Sequence, residues 1–312
     1  MADCFLSSIS FLIIGALVFQ PVTCMYKISE PESERIRQVC GKSSVKTSAK
    51  FKVLNGQTAS VGQFPWAVDL RSSHYNDPSF CGGSLITKRH VLTAGHCVLG
   101  PRCYDRYEKY ATHYLVLNYE FRNRPTVNKL AHPSYGSGGS QSLDCVQSGS
   151  DIGLLELASD VPDRLLASGK IGFVCLPSAD LRFGQGQLFS HGWGETLDSR
   201  TNNLLQWLRL QPENKQICKE RWRTMQTKSI RVPDDTVCTK EFRKDVCRGD
   251  SGSPLLQKLR DNRLAVVGTV AFGEQCIRVQ NSPNAELEGG VWTDVRKFLA
   301  WICVNTGACY SL

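Results

Sequence analysis

Cys247-Arg248-Gly249-Asp250-Ser251-Gly252-Ser253-Pro254-Leu255 places a serine between two glycines on a tight turn that runs into an apolar segment. Glycines at 249 and 252 let the backbone double back until neighbouring N–H groups converge on one point. Acyl transfer needs that arrangement: an exposed hydroxyl beside donors for the oxygen that becomes negative in the transition state. Alone, the run is equally compatible with an ordinary turn, because glycine, aspartate and serine are turn formers. Two further stretches separate the readings. Leu92-Thr93-Ala94-Gly95-His96-Cys97 supplies an imidazole, and Asp151-Ile152-Gly153-Leu154-Leu155-Glu156-Leu157 supplies a carboxylate at the head of an apolar, strand-like run.

From Val53 the chain consists of short β-rich runs, such as Ser84-Leu85-Ile86 and Leu264-Ala265-Val266-Val267-Gly268, divided by Gly, Pro and Asn. That texture marks a sandwich or barrel. Val295-Arg296-Lys297-Phe298-Leu299-Ala300-Trp301-Ile302 spaces its apolar residues three and four apart and predicts a closing helix. The 312 residues suffice for one large domain or two smaller ones. Phe11–Phe19 is an unbroken apolar run, well short of the about 20 residues that cross a bilayer. It predicts a secretory signal over residues 1–24, although no basic residue precedes it, and so a secreted, extracellular chain. No later run is long enough to be a membrane span. Residues 25–52 are polar, with Pro31, Glu30, Glu32, Glu34 and a lysine- and serine-rich end, and predict a flexible leader rather than a packed element.

Loss of Cys4 and Cys24 with the signal leaves an even number of the 14 cysteines, which an oxidising compartment would pair. No Cys-x-x-Cys or His-x-x-x-His spacing supports zinc, so neither a metal nor a cofactor is expected. Every Asn-x-Ser/Thr reading fails, so N-linked sugars are not expected either. The formal charge of +8 is modest. Lys215, Lys219, Arg221, Arg223, Lys228 and Arg231 read as a solvated basic face rather than a polymer site, and no nucleic acid is expected.

The three motifs, in the order His96, Asp151, Ser251, resemble those of the trypsin/chymotrypsin-like serine endopeptidases, over about Val53 to Ile302. The resemblance implies an all-β fold: two packed six-stranded antiparallel β-barrels with a C-terminal α-helix. The cleft would lie between the barrels, with His96 and Asp151 from the first and Ser251 from the second. It divides the chain into a signal (1–24), a propeptide or leader (25–52) and a protease domain (53–312). Ser251 would be the nucleophile, His96 the base and Asp151 its orienting carboxylate, with the N–H groups of Gly249 and Ser251 as oxyanion hole. Asp144 is the nearby rival of Asp151 but sits in a Ser/Gly-rich loop. His74, His113, His132 and His191 lack the motif context and read as surface or loop residues.

Val53-Leu54-Asn55-Gly56 through Phe64-Pro65-Trp66 resembles the start of a mature protease of this family, with Asn55 where a glycine is usual. By that resemblance cleavage follows Lys52, and the new Val53 ammonium turns inward to pair with Asp250; until then the precursor is inactive. Asp245, six residues before Ser251, corresponds to the acid that selects Lys or Arg at the pocket floor, with Gly273 and Gly290 keeping the pocket open. Three departures stand out: Ala271 for a serine that supports the catalytic aspartate, Phe272 for a tryptophan, and Arg248 at the pocket mouth.

Cys40 and Cys175 resemble the bridge that keeps the leader attached after cleavage; the alternative is a free or intermolecularly bonded Cys40. Family positions imply Cys81–Cys97, Cys218–Cys238 and Cys247–Cys276, while Leu188 and Gln257 stand where another bridge has its cysteines. The pairing of Cys103, Cys145, Cys303 and Cys309 stays open, with Cys103–Cys145 and Cys303–Cys309 as the expectation. The function implied is a secreted, disulfide-bonded serine protease made as a zymogen, a hydrolase of peptide bonds after Arg or Lys. Its partners would be protein or peptide substrates, an activating protease and a protein protease inhibitor. The other reading is a non-catalytic relative that uses the fold for binding.

Overall fold

A computed structural model describes residues 24–45, 57–72, 80–99, 113–117, 121–136, 145–195, 204–224, 230–240, 246–273 and 289–309. Residues 25–45 of the leader, expected to be flexible, are packed against the body. Helix α1 (Glu30–Val39) has Pro31 in its first turn, where a missing N–H costs nothing, and Glu30 and Glu32 at its electropositive end. Ser33, Ile36 and Cys40 follow at spacings of three and four and turn toward the body. Cys40 is bonded to Cys175. Met25 and Ile28 are buried. The Ile28 N–H donates to the Thr306 carbonyl at 2.9 Å, and Arg37 Nη1 donates to the Cys309 carbonyl at 2.5 Å. Upstream, the Tyr26 N–H donates to Glu156 Oε2 at 3.1 Å, and the Arg89 guanidinium lies 4.8 Å from the Tyr26 ring. A ten-residue helix is marginal alone, so tertiary packing supplies its stability, and its own sequence shows little of that.

After the leader comes a two-residue strand, β1 (Gln57–Thr58), and then six antiparallel strands that close into a barrel. These are β2 (Ala67–Ser72), β3 (Cys81–Leu85), β4 (His90–Thr93), β5 (His113–Leu117), β6 (Phe121–Ala131) and β7 (Gly153–Leu157), in the spatial order β2-β3-β4-β7-β6-β5. Leu92 pairs with Leu154 and Val91 with Leu155 across β4 and β7. Successive strand residues face opposite sides, so full burial of both Leu154 and Leu155 means that β7 is covered on both faces. Helix α2 (Gly95–Leu99) follows β4 almost at once, and α3 (Asp163–Ala167) follows β7.

The second half contains β8 (Leu188–Gly192), β9 (Gln206–Glu213), α4 (Lys215–Thr224), β10 (Thr236–Lys240), β11 (Pro254–Lys258), β12 (Leu264–Phe272) and β13 (Val291–Asp294). With β1 they form a seven-stranded sheet in the order β1-β9-β10-β13-β12-β11-β8, and β9 also pairs with β8. The expectation of two six-stranded barrels is therefore corrected to one closed six-stranded barrel and one seven-stranded sheet. The difference arises at β9, where Gln206 and Trp207 pair with Thr58 and Gln57 and recruit β1 as an additional strand. Two polar residues carry no strand periodicity that would announce this. Leu188, Leu210, Val237, Leu255, Val267 and Trp292 fill a core specific to this sheet. A 3₁₀ turn (Val295–Phe298) leads into the C-terminal α5 (Leu299–Thr306), which Gly307 ends at φ 75° with its N–H on the Cys303 carbonyl at 2.8 Å.

Candidate active site

Because β4 and β7 are barrel neighbours, the residues beyond their ends meet. His96 is the second residue of α2, and Asp151 lies two residues before β7. His96 Nδ1 is 2.8 Å from Asp151 Oδ2, and the His96 backbone N–H donates to Asp151 Oδ1 at 2.8 Å. Asp151 is 1% exposed, and a carboxylate so buried is costly unless its oxygens are paired. His96 occupies both oxygens. From the second sheet, Thr293 Oγ1 donates to the Asp151 carbonyl at 2.9 Å. An imidazole whose Nδ1–H points at a carboxylate presents Nε2 as a proton acceptor.

Ser251 occupies the turn that enters β11. Gly249 and Gly252 have φ of 94° and 76°, values that glycine adopts without strain. A Cβ on Gly252 would stand 2.2 Å from Thr93 Oγ1 and 2.9 Å from the Ala94 nitrogen. The serine turn thus abuts the stretch that leads into His96. The Gly82 N–H donates to the Ser251 carbonyl at 2.7 Å and ties the turn to β3. The Cys81–Cys97 bridge braces the same corner.

Asp250 turns its carboxyl group into the backbone, accepting the Gly194 N–H on Oδ1 and the Cys247 N–H on Oδ2, each at 2.8 Å. Burial pushes its pKa up to about 6, and these two donors pull the other way. Of the expected pocket residues, Gly273 is exposed and Gly290 buried, its carbonyl accepting the Thr239 N–H at 3.1 Å. Gly289, at φ 142°, offers its carbonyl to Arg221 Nη1 at 3.3 Å. Lys52, Val53, Asp144, Asp245, Cys103, Cys276, Lys228 and His74 lie outside the described residues.

Four bridges join described residues: Cys40–Cys175, Cys81–Cys97, Cys218–Cys238 and Cys303–Cys309. Cys145 and Cys247 are also disulfide-bonded, and so is Cys24, which the sequence assigned to the signal. Among the described residues, cysteine clusters with other metal-binding residue types at His96 beside Cys81–Cys97 and at Glu213 beside Cys218–Cys238. The bonded sulfurs there offer no thiolate. Leu188 and Gln257 are cross-strand partners, and Gln257 bonds instead to the Arg182 carbonyl and the Gly184 N–H, both at 2.9 Å.

Two expectations are corrected here. His191 is no surface residue: it is 2% exposed in β8, 4.8 Å from the Phe64 ring, and burial pushes it down to about 3. His132 lies in the loop just past β6, as expected, and packs edge-on against Phe298 and Trp301. Within the basic stretch, Arg221 does not belong to a solvated face, whereas Arg223 and Arg231 are exposed as expected. Arg221 pairs with Glu213 at 2.6 Å, with the two side chains 7% and 4% exposed, while Lys219 pairs with Asp234 and Arg223 with Glu220. Lys215 Nζ donates to the Pro233 carbonyl at 2.7 Å. Thr293 and Asp235, which support the Asp151 segment, carried no signal in the sequence, because their roles exist only across the interface between the two halves. No described helix is long and apolar enough to cross a membrane.

A family model described as Trypsin matches residues 53–302. Phenoloxidase-activating enzyme 1 of Spodoptera litura is 30% identical over 289 residues, which cover 88% of this chain and 71% of that protein. Urokinase-type plasminogen activator of Gallus gallus is 26% identical over 302 residues, covering 89% of this chain and 62% of the relative. Mannan-binding lectin serine protease 1 of Mus musculus is 30% identical over 256 residues, covering 76% of this chain and 34% of the relative. The chain thus spans less than two thirds of the length of several relatives. With a family match across most of its length and a His96–Asp151 pair formed where that family's chemistry requires it, the chain belongs to the trypsin family of serine proteases.

Proposed function

We propose that the protein is a secreted endopeptidase that cleaves protein substrates after Arg or Lys, and that it is made as a zymogen activated by cleavage after Lys52. The observation that carries the catalytic part is the double hydrogen bond between Asp151 and His96 beside the Ser251 turn. Ser251 attacks the scissile carbonyl while His96 takes its proton and then returns it to the leaving amine. Asp151 holds the imidazole in the required tautomer and stabilises the imidazolium. The N–H groups of Gly249 and Ser251 receive the oxyanion. Two relatives are named for activating phenoloxidase and plasminogen, which supports limited cleavage of protein substrates here too.

The zymogen reading draws on β1. Thr58 pairs with Gln206, and Gln206 pairs on its other side with Gly192, where a Cβ would lie 2.0 Å from Asp250 Oδ1. Neighbouring strands are spaced about 4.8 Å apart, so β1 lies roughly 10 Å from Gly192. Val53 precedes Gln57 by four residues, which span at most about 14 Å when extended. A new ammonium at Val53 is therefore within reach of Asp250. The leader's last described residues are tied down independently, with the Ser44 N–H on the Gly62 carbonyl at 3.1 Å. Cleavage between them frees one end without displacing the other. The signal over residues 1–24 and the protease domain over 53–312 complete this reading.

The test is labelling with a fluorophosphonate before and after cleavage at Lys52. Rapid labelling of Ser251 only in the cleaved chain, lost in Ser251→Ala and His96→Ala, is the expected result. A folded, cleaved chain that neither labels nor hydrolyses peptides would instead identify a non-catalytic relative.

A further inference from the structure

Ser150, the residue before Asp151, has a φ of 55°, in the left-handed region that strains any residue with a side chain. Gly149 before it has a φ of 93°. Two successive residues of positive φ turn the chain sharply, and the Ile152 N–H closes that turn on the Ser150 carbonyl at 2.8 Å. The direction in which Asp151 leaves the turn depends on Ser150 staying in that conformation. Glycine would hold it freely; serine needs an external partner.

That partner comes from the other half of the molecule. Asp235, immediately before β10, accepts the Ser150 N–H on Oδ2 at 2.5 Å, with Ser150 Oγ 3.4 Å from the same oxygen. Its other oxygen faces Gly149, where a Cβ would stand 3.0 Å away. Asp235 is itself anchored, its carbonyl accepting the Asp294 N–H at 2.8 Å. The neighbouring Thr293 holds the Asp151 carbonyl. Ala271 meanwhile offers no hydroxyl to Asp151.

We propose that Asp235 is a positioning residue for catalysis: it clamps Ser150 in the left-handed conformation and so sets the angle at which Asp151 meets His96. This rests on the reading of Asp151 as the catalytic carboxylate. Misorienting that carboxylate impairs proton transfer while leaving the substrate pocket alone, so the defect belongs in kcat rather than KM.

The test uses the full chain, cleaved at Lys52, with an Arg peptide substrate. Asp235→Ala is expected to lower kcat about tenfold with KM within about twofold of the parent. Asp235→Asn keeps an acceptor for the Ser150 N–H and should restore kcat to within about threefold. Ser150→Gly combined with Asp235→Ala should recover comparably, because glycine needs no clamp. If Asp235→Ala does not fold, this double variant carries the test, and a tenfold kcat defect in it overturns the proposal. So does an Asp235→Ala enzyme with unchanged kcat, or one whose loss lies wholly in KM. Asp151→Ala separates the two levels. Substantial activity there removes the underlying reading, whereas an inactive Asp151→Ala beside a fully active Asp235→Ala removes the positioning role alone.

Discussion

Asp250 couples a backbone turn to a charge. Its carboxyl group accepts N–H groups from Gly194 and Cys247 and has no cationic partner among the described residues. Burial raises its pKa from 3.8 to about 6. Between those values the folded, uncleaved chain binds more protons than the unfolded chain, so stability falls as pH rises through that window and levels off above it. The roughly two-unit shift corresponds to about 3 kcal/mol. Denaturant unfolding of the uncleaved chain from pH 4 to 7 should show this decline relative to Asp250→Asn. Identical pH profiles in the two would mean that Asp250 carries no such cost. In the zymogen reading, the Val53 ammonium supplies the missing cation and reverses the slope after cleavage. The same residue would then link a broken peptide bond to the shape of the Ser251 turn.

Among elements, α1 is where sequence and structure part most clearly. Cleavage after Lys52 should leave residues 25–45 on the body, linked through Cys40–Cys175. Non-reducing electrophoresis should show one species and reducing electrophoresis two; separation without reductant would contradict the bridge. In Cys40→Ser the leader should still co-elute with the body in gel filtration, held by buried Met25 and Ile28 and by the Arg37 contact with Cys309. None of this packing was legible in a polar stretch whose few inward residues complete a core built elsewhere. The Ser251 turn was legible because its glycines declare local backbone geometry. The strained turn at Ser150 was not, since its support comes from Asp235, 85 residues away. Strand β1 escaped notice for a similar reason: a two-residue pairing depends on the exposed edge of β9 rather than on its own composition. His191 sits in a buried strand, although its lack of motif context read as a surface or loop position.

At the scale of the whole molecule, the second sheet and a buried ion pair hold the two glycines at 289 and 290, the second of them a residue of the proposed substrate pocket. Gly290 is fixed by the Thr239 N–H, and its neighbour Gly289 by Arg221, which Glu213 holds in turn. Val246, which follows Asp245 in sequence, is buried, and Cys247 is disulfide-bonded with its N–H on Asp250. In the proposed specificity reading, the Asp245 carboxylate loses water on substrate binding. A bound Lys or Arg offsets that loss, and an apolar side chain cannot. Cleavage after Arg or Lys should therefore exceed cleavage after Phe by at least about a hundredfold, roughly 2.8 kcal/mol of differential transition-state binding. Asp245→Ser should erase most of that preference while fluorophosphonate labelling of Ser251 persists, because the His96–Asp151 pair is built from the other half of the molecule. The measurement is kcat/KM for matched Arg and Phe peptides in parent and variant. Equal rates in the parent would show that Asp245 faces solvent and that another group sets the specificity.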